Sequence, residues 1–238
     1  MNLILLDSED LDVVLPLTDP RAVHIMKVLR RSTGDSFDVG LIDGRTGKGR
    51  IDRVDGQSLR IFVRWTGEGA DLYPITMILG MPRPQTARRL LREMTAMGVS
   101  RLLFCETDRS DPGYASSSLW TSGEFERHLK TGAEQAFNPR LPDLHRFNSL
   151  AEALDSINSD GDRLALDNYE APLRLSSWKP SMDSAVLSLG AERGWSAAER
   201  TLLLDAGFSF YHLGARVLRI ETAATAAVAI ALSRMGFV

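Results

Sequence analysis

The chain has 238 residues, of which 44% are hydrophobic and 25% are charged, and its formal net charge is −3. This length allows one large domain or two unequal ones, each able to bury a core, and we expect two. Apolar residues alternate with polar ones and form no run of about 18 that would span a bilayer, so no membrane partner is expected. Asp7 follows only four apolar residues and no basic segment, which argues against a signal peptide and favours a cytoplasmic location.

Cysteine and histidine are too sparse to predict a disulfide or a metal site. Cys105 is the single cysteine, and its place in the apolar run 101–105 predicts a buried core thiol. The histidines show no spacing typical of zinc ligands, so no metal is expected. They are His24, His128, His145 and His212.

Charge is distributed unevenly along the chain. Residues 21–60 contain nine Lys and Arg against five acids, a balance of +4, whereas residues 151–205 contain ten acids against five bases, a balance of −5. A basic N-terminal module favours a nucleic-acid partner, because its cations neutralise phosphates. An ordinary solvated face would have the same composition, so charge alone leaves both interpretations open.

Residues 1–70 have the pattern of a small β module. Strands are predicted at 36–41 and 59–63, where polar and apolar residues alternate. Apolar residues at three- and four-residue spacing predict one helix at 22–29, from whose end Arg30 and Arg31 would project.

A linker at 67–71 is expected to lead into a second domain in which strands and helices alternate. Such alternation predicts an α/β domain with a mainly parallel sheet, whose ligands bind beyond the carboxyl ends of the strands. The loops after Leu166 and Leu189 are therefore the first places to expect a ligand. The predicted strands are 73–80, 101–105, 163–167 and 184–190, and the predicted helices are 85–97, 120–137, 197–206 and 222–234.

A strand that continues into a glycine-bearing loop and then a helix is the most informative local feature, at 189–199. Gly190 and Gly194 let the backbone approach a ligand closely, and the free N–H groups at the helix start favour an adenine nucleotide or a carboxylate. Ser196 and Glu199 predict a capping box there. The pattern is neither a dinucleotide-binding nor a Walker loop, and an ordinary strand-to-helix turn would look similar.

Two further segments place charged residues beside apolar ones. Within 212–223, Arg219 and Glu221 either serve chemistry or simply pair, and Glu221 or Thr222 alternatively caps the last helix. Within 133–142, a helix carrying Glu134 ends in a proline-bounded loop. These residues alone do not distinguish a functional segment from an ordinary helix end.

Taken in this order, the three segments resemble the C-terminal signature of the RsmE family, a branch of the SPOUT RNA methyltransferases. Residues 190–194 match its Gly-Pro-Glu-Gly-Gly, 213–223 its Leu-Gly-x-Arg-Ile/Val-Leu-Arg-x-Glu-Thr-Ala, and 134–142 its Glu-Gln-x-x-Arg-x-x-x-Pro. His24 with 28–30 resembles its His-x-x-x-Val-Leu-Arg, and 107–110 its Thr/Ser-x-Arg-Ser. The resemblance covers roughly residues 20–225.

The resemblance implies both a fold and an activity. The fold is α/β, with a PUA-like RNA-binding β-barrel at 1–70 and a SPOUT methyltransferase domain at 71–238. The C-terminal part of the second domain is tied in a deep trefoil knot, and the domain forms a homodimer to which the apolar helix 224–232 contributes. The implied activity is S-adenosylmethionine-dependent methylation of N3 of a uridine in 16S ribosomal RNA of the small ribosomal subunit.

The resemblance also implies roles for individual residues. The cofactor would be held by Leu166, Leu189, Gly190, Glu192, Gly194, Leu213, Gly214, Val217 and Leu218. RNA would contact His24, Arg30, Arg31, Arg83, Arg109 and Arg140. Because uracil N3 is a poor nucleophile until it loses its proton, Arg219 is our candidate for stabilising the anion, and Glu134 or Glu221 for accepting the proton.

The chain departs from the family pattern at four positions in these motifs: Ala191 replaces a proline, Arg193 a glycine, Ile220 a threonine and Asn138 an arginine. We expect Arg193 to approach the path of the cofactor or RNA, and Asn138 to remove a phosphate or base contact. The alternatives are a SPOUT methyltransferase with another RNA target, a catalytically inactive RNA-binding paralogue, and a nucleotide-binding α/β enzyme unrelated to RNA.

Overall fold

The structure is a computed structural model that describes residues 3–42, 44–157 and 161–238. It contains two compact units. The first comprises the described residues up to Asp71 together with Lys130–Leu141, and the second comprises those of Leu72–Leu129 and Pro142–Val238. The fold is therefore mixed α/β, with a curled sheet in the first unit and a parallel sheet in the second.

The first unit is built on a five-stranded sheet. Its strands are β1 (Ile4–Leu6), β2 (Asp12–Pro16), β3 (Ser36–Leu41), β4 (Arg45–Val54) and β5 (Ser58–Glu68). They lie in the order β1-β3-β4-β5-β2, with β1 parallel to β3 and the other pairs antiparallel. Two register shifts between β4 and β5 increase the local twist of these long strands. Alternate side chains, among them Ile51, Ile61 and Val63, are buried in the core.

A short helical segment connects β2 to β3. Helix α1 (Pro20–Val23) begins at Asp19, whose side chain accepts a hydrogen bond from the backbone N–H of Arg21, and it continues as a π-helical turn, His24–Val28. The predicted helix is thus present, although it is not a regular α-helix. Arg30 and Arg31 follow it and are exposed, as predicted.

The second unit contains a seven-stranded sheet in which every neighbouring pair is parallel. Its strands are β6 (Tyr73–Gly80), β7 (Val99–Cys105), β8 (Asp143–Phe147), β9 (Asp162–Leu166), β10 (Leu173–Arg174), β11 (Ala185–Leu189) and β12 (Ser209–His212). They lie in the order β10-β12-β9-β11-β6-β7-β8. The central strand β11 is buried along its whole length, as expected of a parallel sheet covered on both faces.

Six further α-helices follow β5 in the described part of the chain. They are α2 (Pro84–Ala96), α3 (Ser118–Thr121), α4 (Glu124–Ala136), α5 (Leu150–Asp155), α6 (Ala197–Asp205) and α7 (Ile220–Met235). Helix α7 packs against α2 and β11. In the part of the chain that the structure describes, no helix combines the length and the apolar character needed to cross a membrane.

Most elements predicted in the second unit are confirmed. The strand at 73–80 has those bounds, and the helices predicted at 85–97, 197–206 and 222–234 correspond to α2, α6 and α7 within two residues at each end. Cys105 is fully buried, as the apolar run around it predicts.

One prediction about secondary structure is wrong. The helix expected at 120–137 is interrupted by Gly123, whose φ of 74° separates α3 from α4. The linker predicted at 67–71 coincides with the boundary between the two units, which falls after Asp71, although β5 extends to Glu68 and the side-chain amide of Asn138 donates a hydrogen bond to the carbonyl of Ala70. Asn138 is therefore committed to a contact within the first unit.

Candidate functional site

A cavity lies at the carboxyl edge of the parallel sheet. The neighbouring strands β12, β9 and β11 end there, and the loops after them supply its wall. Eight of the nine predicted cofactor residues line it: Leu166, Leu189, Gly190, Glu192, Gly194, Leu213, Val217 and Leu218. The ninth, Gly214, is not among the lining residues; it lies between Leu213 and Val217 with a φ of 120°.

The loop at 190–194 is shaped by close backbone contacts. A Cβ atom at Gly190 would lie 2.7 Å from the carbonyl carbon of Gly194, and one at Gly80 would lie 2.5 Å from the backbone nitrogen of Ala191. Gly194 has a φ of 65°, a conformation that favours glycine. Arg193 does line the cavity, as expected, and its φ is not in the positive region, so its own position does not require glycine.

The helix after this loop begins with the predicted capping box. Ser196 accepts a hydrogen bond from the backbone N–H of Glu199, and the Glu199 carboxylate accepts one from the backbone N–H of Ser196. Glu199 is buried, and its second oxygen accepts a bond from the backbone N–H of Asp108 at 2.9 Å. One buried carboxylate thus joins the start of α6 to the loop after β7.

Arg109, in the loop after β7, braces the cavity loop directly. Its guanidinium donates a hydrogen bond of 2.9 Å to the backbone carbonyl of Arg193. Ser110, next in the chain, donates to the carbonyl of Met81 and exchanges a hydrogen bond with Thr107. The segment 107–110, implied by the family resemblance to include an RNA contact, therefore also supports the wall of the cavity.

Asp167 fixes the loop after β9. Its side chain is only 2% exposed and pairs with the guanidinium of Arg200 at 2.8 Å. The other carboxylate oxygen accepts hydrogen bonds from the backbone N–H groups of Tyr169 and Glu170. These contacts of the buried carboxylate fix the shape of the loop after β9.

A second cavity adjoins the first and is richer in charge. The two share Glu192, Val217, Leu218 and Ile220 as wall residues. In the second cavity Arg83 donates to Glu192 at 3.1 Å, and Arg89 donates to Glu221 at 2.9 Å.

Arg219 also lines the second cavity, at the N-cap position of α7, and it is exposed. It makes no ion pair with any residue in the described ranges. The simple pairing of Arg219 with Glu221 that the sequence allowed is therefore wrong: Glu221 pairs with Arg89, and the cap position belongs to Arg219 itself.

The remaining predicted residues belong to the first unit. Burial raises the pKa of the Glu134 carboxyl above its ordinary value, against the opposing effect of nearby Lys130. Arg140 donates to the carbonyl of Gly69 and pairs with Asp71 at 3.4 Å. The Nε2 atom of His24 is buried without a hydrogen-bond partner among the described residues.

Several wall residues were missed by the sequence reasoning. Asn168 and Tyr169 follow β9 directly, where the rule about strand carboxyl ends applied to Leu166 would have found them. Tyr211 lies in β12, a four-residue strand whose pattern in the sequence is too short to recognise. Arg89 has no local signal, because its role depends on Glu221, 132 residues away. No cluster of three or more potential metal ligands occurs within the described ranges.

Comparisons with known proteins identify the family. A family profile described as an RNA methyltransferase domain matches residues 70–232. The chain is also 32% identical to the ribosomal RNA small subunit methyltransferase E of Treponema pallidum over 246 residues, which cover 98% of this chain and 91% of that protein. The chain belongs to the ribosomal RNA small subunit methyltransferase E family. The resemblance inferred from the ordered motifs is thus confirmed.

Other members of the methyltransferase E family agree in extent and in fold. The ribosomal RNA small subunit methyltransferase E 1 of Borreliella burgdorferi is 28% identical over 242 residues, 99% of each chain. A crystal structure of a methyltransferase E from Neisseria gonorrhoeae, bound to S-adenosyl methionine, has a TM-score of 0.80 and covers 98% of this chain and 97% of that one. At 22% identity, this likeness shows the fold.

Proposed function

We propose that this chain transfers a methyl group from S-adenosylmethionine to N3 of a uridine in 16S ribosomal RNA. The observation that carries the proposal is the pair of adjoining cavities at the carboxyl edge of the sheet. One has the glycine-bearing wall suited to a cofactor, and the other presents the uncommitted cation Arg219. The family membership of the chain supports the same reaction.

The wall of the first cavity fits the cofactor. Leu189, Leu213 and Leu218 offer apolar surface for the adenine ring. A Cβ atom at Gly190 would collide with the backbone of Gly194, so only glycine at this position allows the tight loop that forms this wall. When bound, S-adenosylmethionine supplies a methyl group on a positively charged sulfur. The protein is left to position the base and exclude water.

Arg219 is assigned to the developing negative charge on the uracil. Loss of the N3 proton spreads charge onto O2 and O4, and a cation aimed at such an oxygen stabilises the transition state. N3 then forms the new bond to the methyl carbon while the carbon–sulfur bond breaks. Glu134 or Glu221 is assigned to accept the proton; Glu221 lines the second cavity with Arg219, although it is bonded to Arg89, whereas Glu134 lines neither cavity.

We further assign the architecture implied by the family. The first unit would be a PUA-like barrel that binds RNA, with the domain boundary close to the expected residue 70 and with 130–141 grouped with the barrel. The deep knot that the family resemblance implies would involve α7, whose Arg234 donates a hydrogen bond to the carbonyl of Trp178. The protein would act in the cytoplasm on the small ribosomal subunit or its 16S RNA.

A homodimer through the second unit is supported by apolar residues at the rim of the first cavity. Tyr169 and Val217 are 76% and 77% exposed, and large apolar side chains in such positions are commonly covered by a partner. Ala224, Ala227 and Val228 of helix α7 are already buried within the chain, so α7 would contribute to the homodimer through its other residues.

Replacing Arg219 by Ala tests the mechanism. We expect kcat on unmodified ribosomal RNA to fall by about 100-fold or more, with unchanged affinity for S-adenosylmethionine by calorimetry. Arg174→Ala is the matched control, since Arg174 is an exposed arginine of the second unit that does not line either cavity. Normal turnover of the Arg219 variant would remove the assigned role. Mapping N3-methyluridine in 16S RNA from cells with and without the gene tests the substrate, and an unchanged map would refute it.

A further inference from the structure

The outward face of the first unit's sheet carries an exposed aromatic side chain among arginines. Phe62 of β5 is 45% exposed, and the register of the sheet places Arg50 of β4 directly opposite it. Arg60 and Arg64 lie two residues to either side on β5, so they project from the same face. Directly opposite side chains are about 5 Å apart. We call Arg50, Arg60, Phe62 and Arg64 the Phe62 face.

The arginines of the Phe62 face fall into two groups. Arg60 is bonded to Asp12 of β2, and its guanidinium carbon lies 5.3 Å from the centre of the Phe62 ring, which holds one side of that ring. Arg50 and Arg64 are exposed and have no ion pair within the described ranges. Two cations beside the ring are therefore available to an external anion.

The composition of the Phe62 face favours one kind of occupant. Phe62 and, on the neighbouring strand β2, Val14 are the large apolar side chains exposed on the strands of this sheet among the described residues, which is too little apolar surface for a stable protein interface. A duplex would offer phosphates to the arginines but no unstacked base to the ring. Single-stranded nucleic acid offers both, because bases stack on aromatic side chains while phosphates contact arginine.

We propose that the Phe62 face binds single-stranded RNA, with one base stacked on Phe62 and the neighbouring phosphates contacted by Arg50 and Arg64. The proposal rests on the proposed function, in that the first unit engages RNA, and it names the surface and the mode of contact. Arg60 and Asp12 hold the ring in place and do not contact the RNA.

The test measures binding of a short fluorescein-labelled single-stranded RNA to the full-length protein by fluorescence anisotropy. Phe62→Ala is expected to weaken binding about tenfold, and Phe62→Trp to retain it, because stacking needs an aromatic ring of any kind. Arg50→Ala and Arg64→Ala are each expected to reduce the slope of log affinity against log salt by about 0.7. Phe237→Ala is the matched control, since Phe237 is 44% exposed and belongs to the second unit.

Each outcome decides the proposal. Wild-type affinity in Phe62→Ala would overturn it, and so would an equal loss in Phe237→Ala. Arg53→Ala removes an exposed arginine of β4 that already pairs with Asp55. If Arg53→Ala reduces the slope of log affinity against log salt as much as Arg50→Ala does, RNA binding depends on the general positive charge of the unit, and the proposed phosphate contacts are refuted. Calorimetry with S-adenosylmethionine on the same samples distinguishes failure of the Phe62 face from failure of the methyltransferase proposal. If the wild-type protein binds no cofactor but Phe62→Ala still weakens RNA binding, the RNA-binding proposal holds and the methyltransferase proposal is refuted.

Discussion

Removing the Arg109 side chain should weaken cofactor binding, although Arg109 does not itself line the cofactor cavity. The guanidinium of Arg109 donates to the carbonyl of Arg193, in the loop that forms part of the cavity wall. In Arg109→Ala that carbonyl loses its partner, and the loop samples more conformations in the absence of cofactor. Part of the free energy of cofactor binding must then be used to order the loop, which lowers the apparent affinity for the cofactor.

The magnitude follows from the type of bond and its exposure. A hydrogen bond to a charged donor contributes about 1.5–3 kcal/mol, but Arg109 is exposed, so solvent screening reduces the expected loss to about 1 kcal/mol. That loss corresponds to an increase of about fivefold in the Kd for S-adenosylmethionine.

Isothermal titration calorimetry with S-adenosylmethionine measures this change. Arg146→Ala is the matched control, because Arg146 is another exposed arginine that donates to a backbone carbonyl, that of Ala115, and it does not line the cavity. An unchanged cofactor Kd in Arg109→Ala, combined with weaker RNA binding, would refute the brace and leave Arg109 as the RNA contact that the family resemblance implies.

Two further predictions concern the same unit. Gly190→Ala should weaken cofactor binding at least tenfold, because its Cβ would lie 2.7 Å from the backbone of Gly194. In Gly194→Ala the new Cβ meets no atom within 4 Å, and the substitution costs about 1–2 kcal/mol of backbone strain. Equal losses of cofactor affinity by calorimetry in the two variants would contradict the steric argument. Burial lowers the pKa of His128 despite its bond to Glu124, whose own pKa the Arg88 hydrogen bond lowers to about 2. The unfolded chain therefore binds a proton at His128 more readily than the folded chain does. The contribution of His128 to the free energy of unfolding is fully present above about pH 6.5 and falls below that pH. His128→Asn should flatten this fall in urea unfolding between about pH 5 and 7, and an unchanged profile would show that another group titrates.

The sequence predicts those parts of the fold whose cause is local. Ser196 and Glu199 form their capping box because its two hydrogen bonds join residues three positions apart, so the pattern and the structure coincide. The strand at 73–80 is equally clear, because burial on both faces leaves a continuous apolar run. The ends of β9 and β11 follow from the same reasoning, and with them two of the three loops around the cavity.

Features that depend on distant residues could not be predicted. The carbonyl of Glu134 accepts a hydrogen bond from Leu3, and Asn138 bonds Ala70, so 130–141 groups with the first unit for reasons that no local pattern contains. Asn138 stands where the family has an arginine, and its structural role was invisible until its partner was known. The pairing of Arg89 with Glu221 is hidden for the same reason.

The order in which the chain contributes to the cofactor cavity has a consequence during protein synthesis. Every wall residue lies between Leu166 and Ala223. A nascent chain emerging from the ribosome has therefore completed the strands β1 to β8 before it contributes the first wall residue. Strand β9 must then wait for β11 and β12 before its neighbours in the sheet are in place. Since domains fold progressively as they are synthesised, the first unit is able to fold at a stage when the growing chain has not yet formed the cavity for a methyl donor.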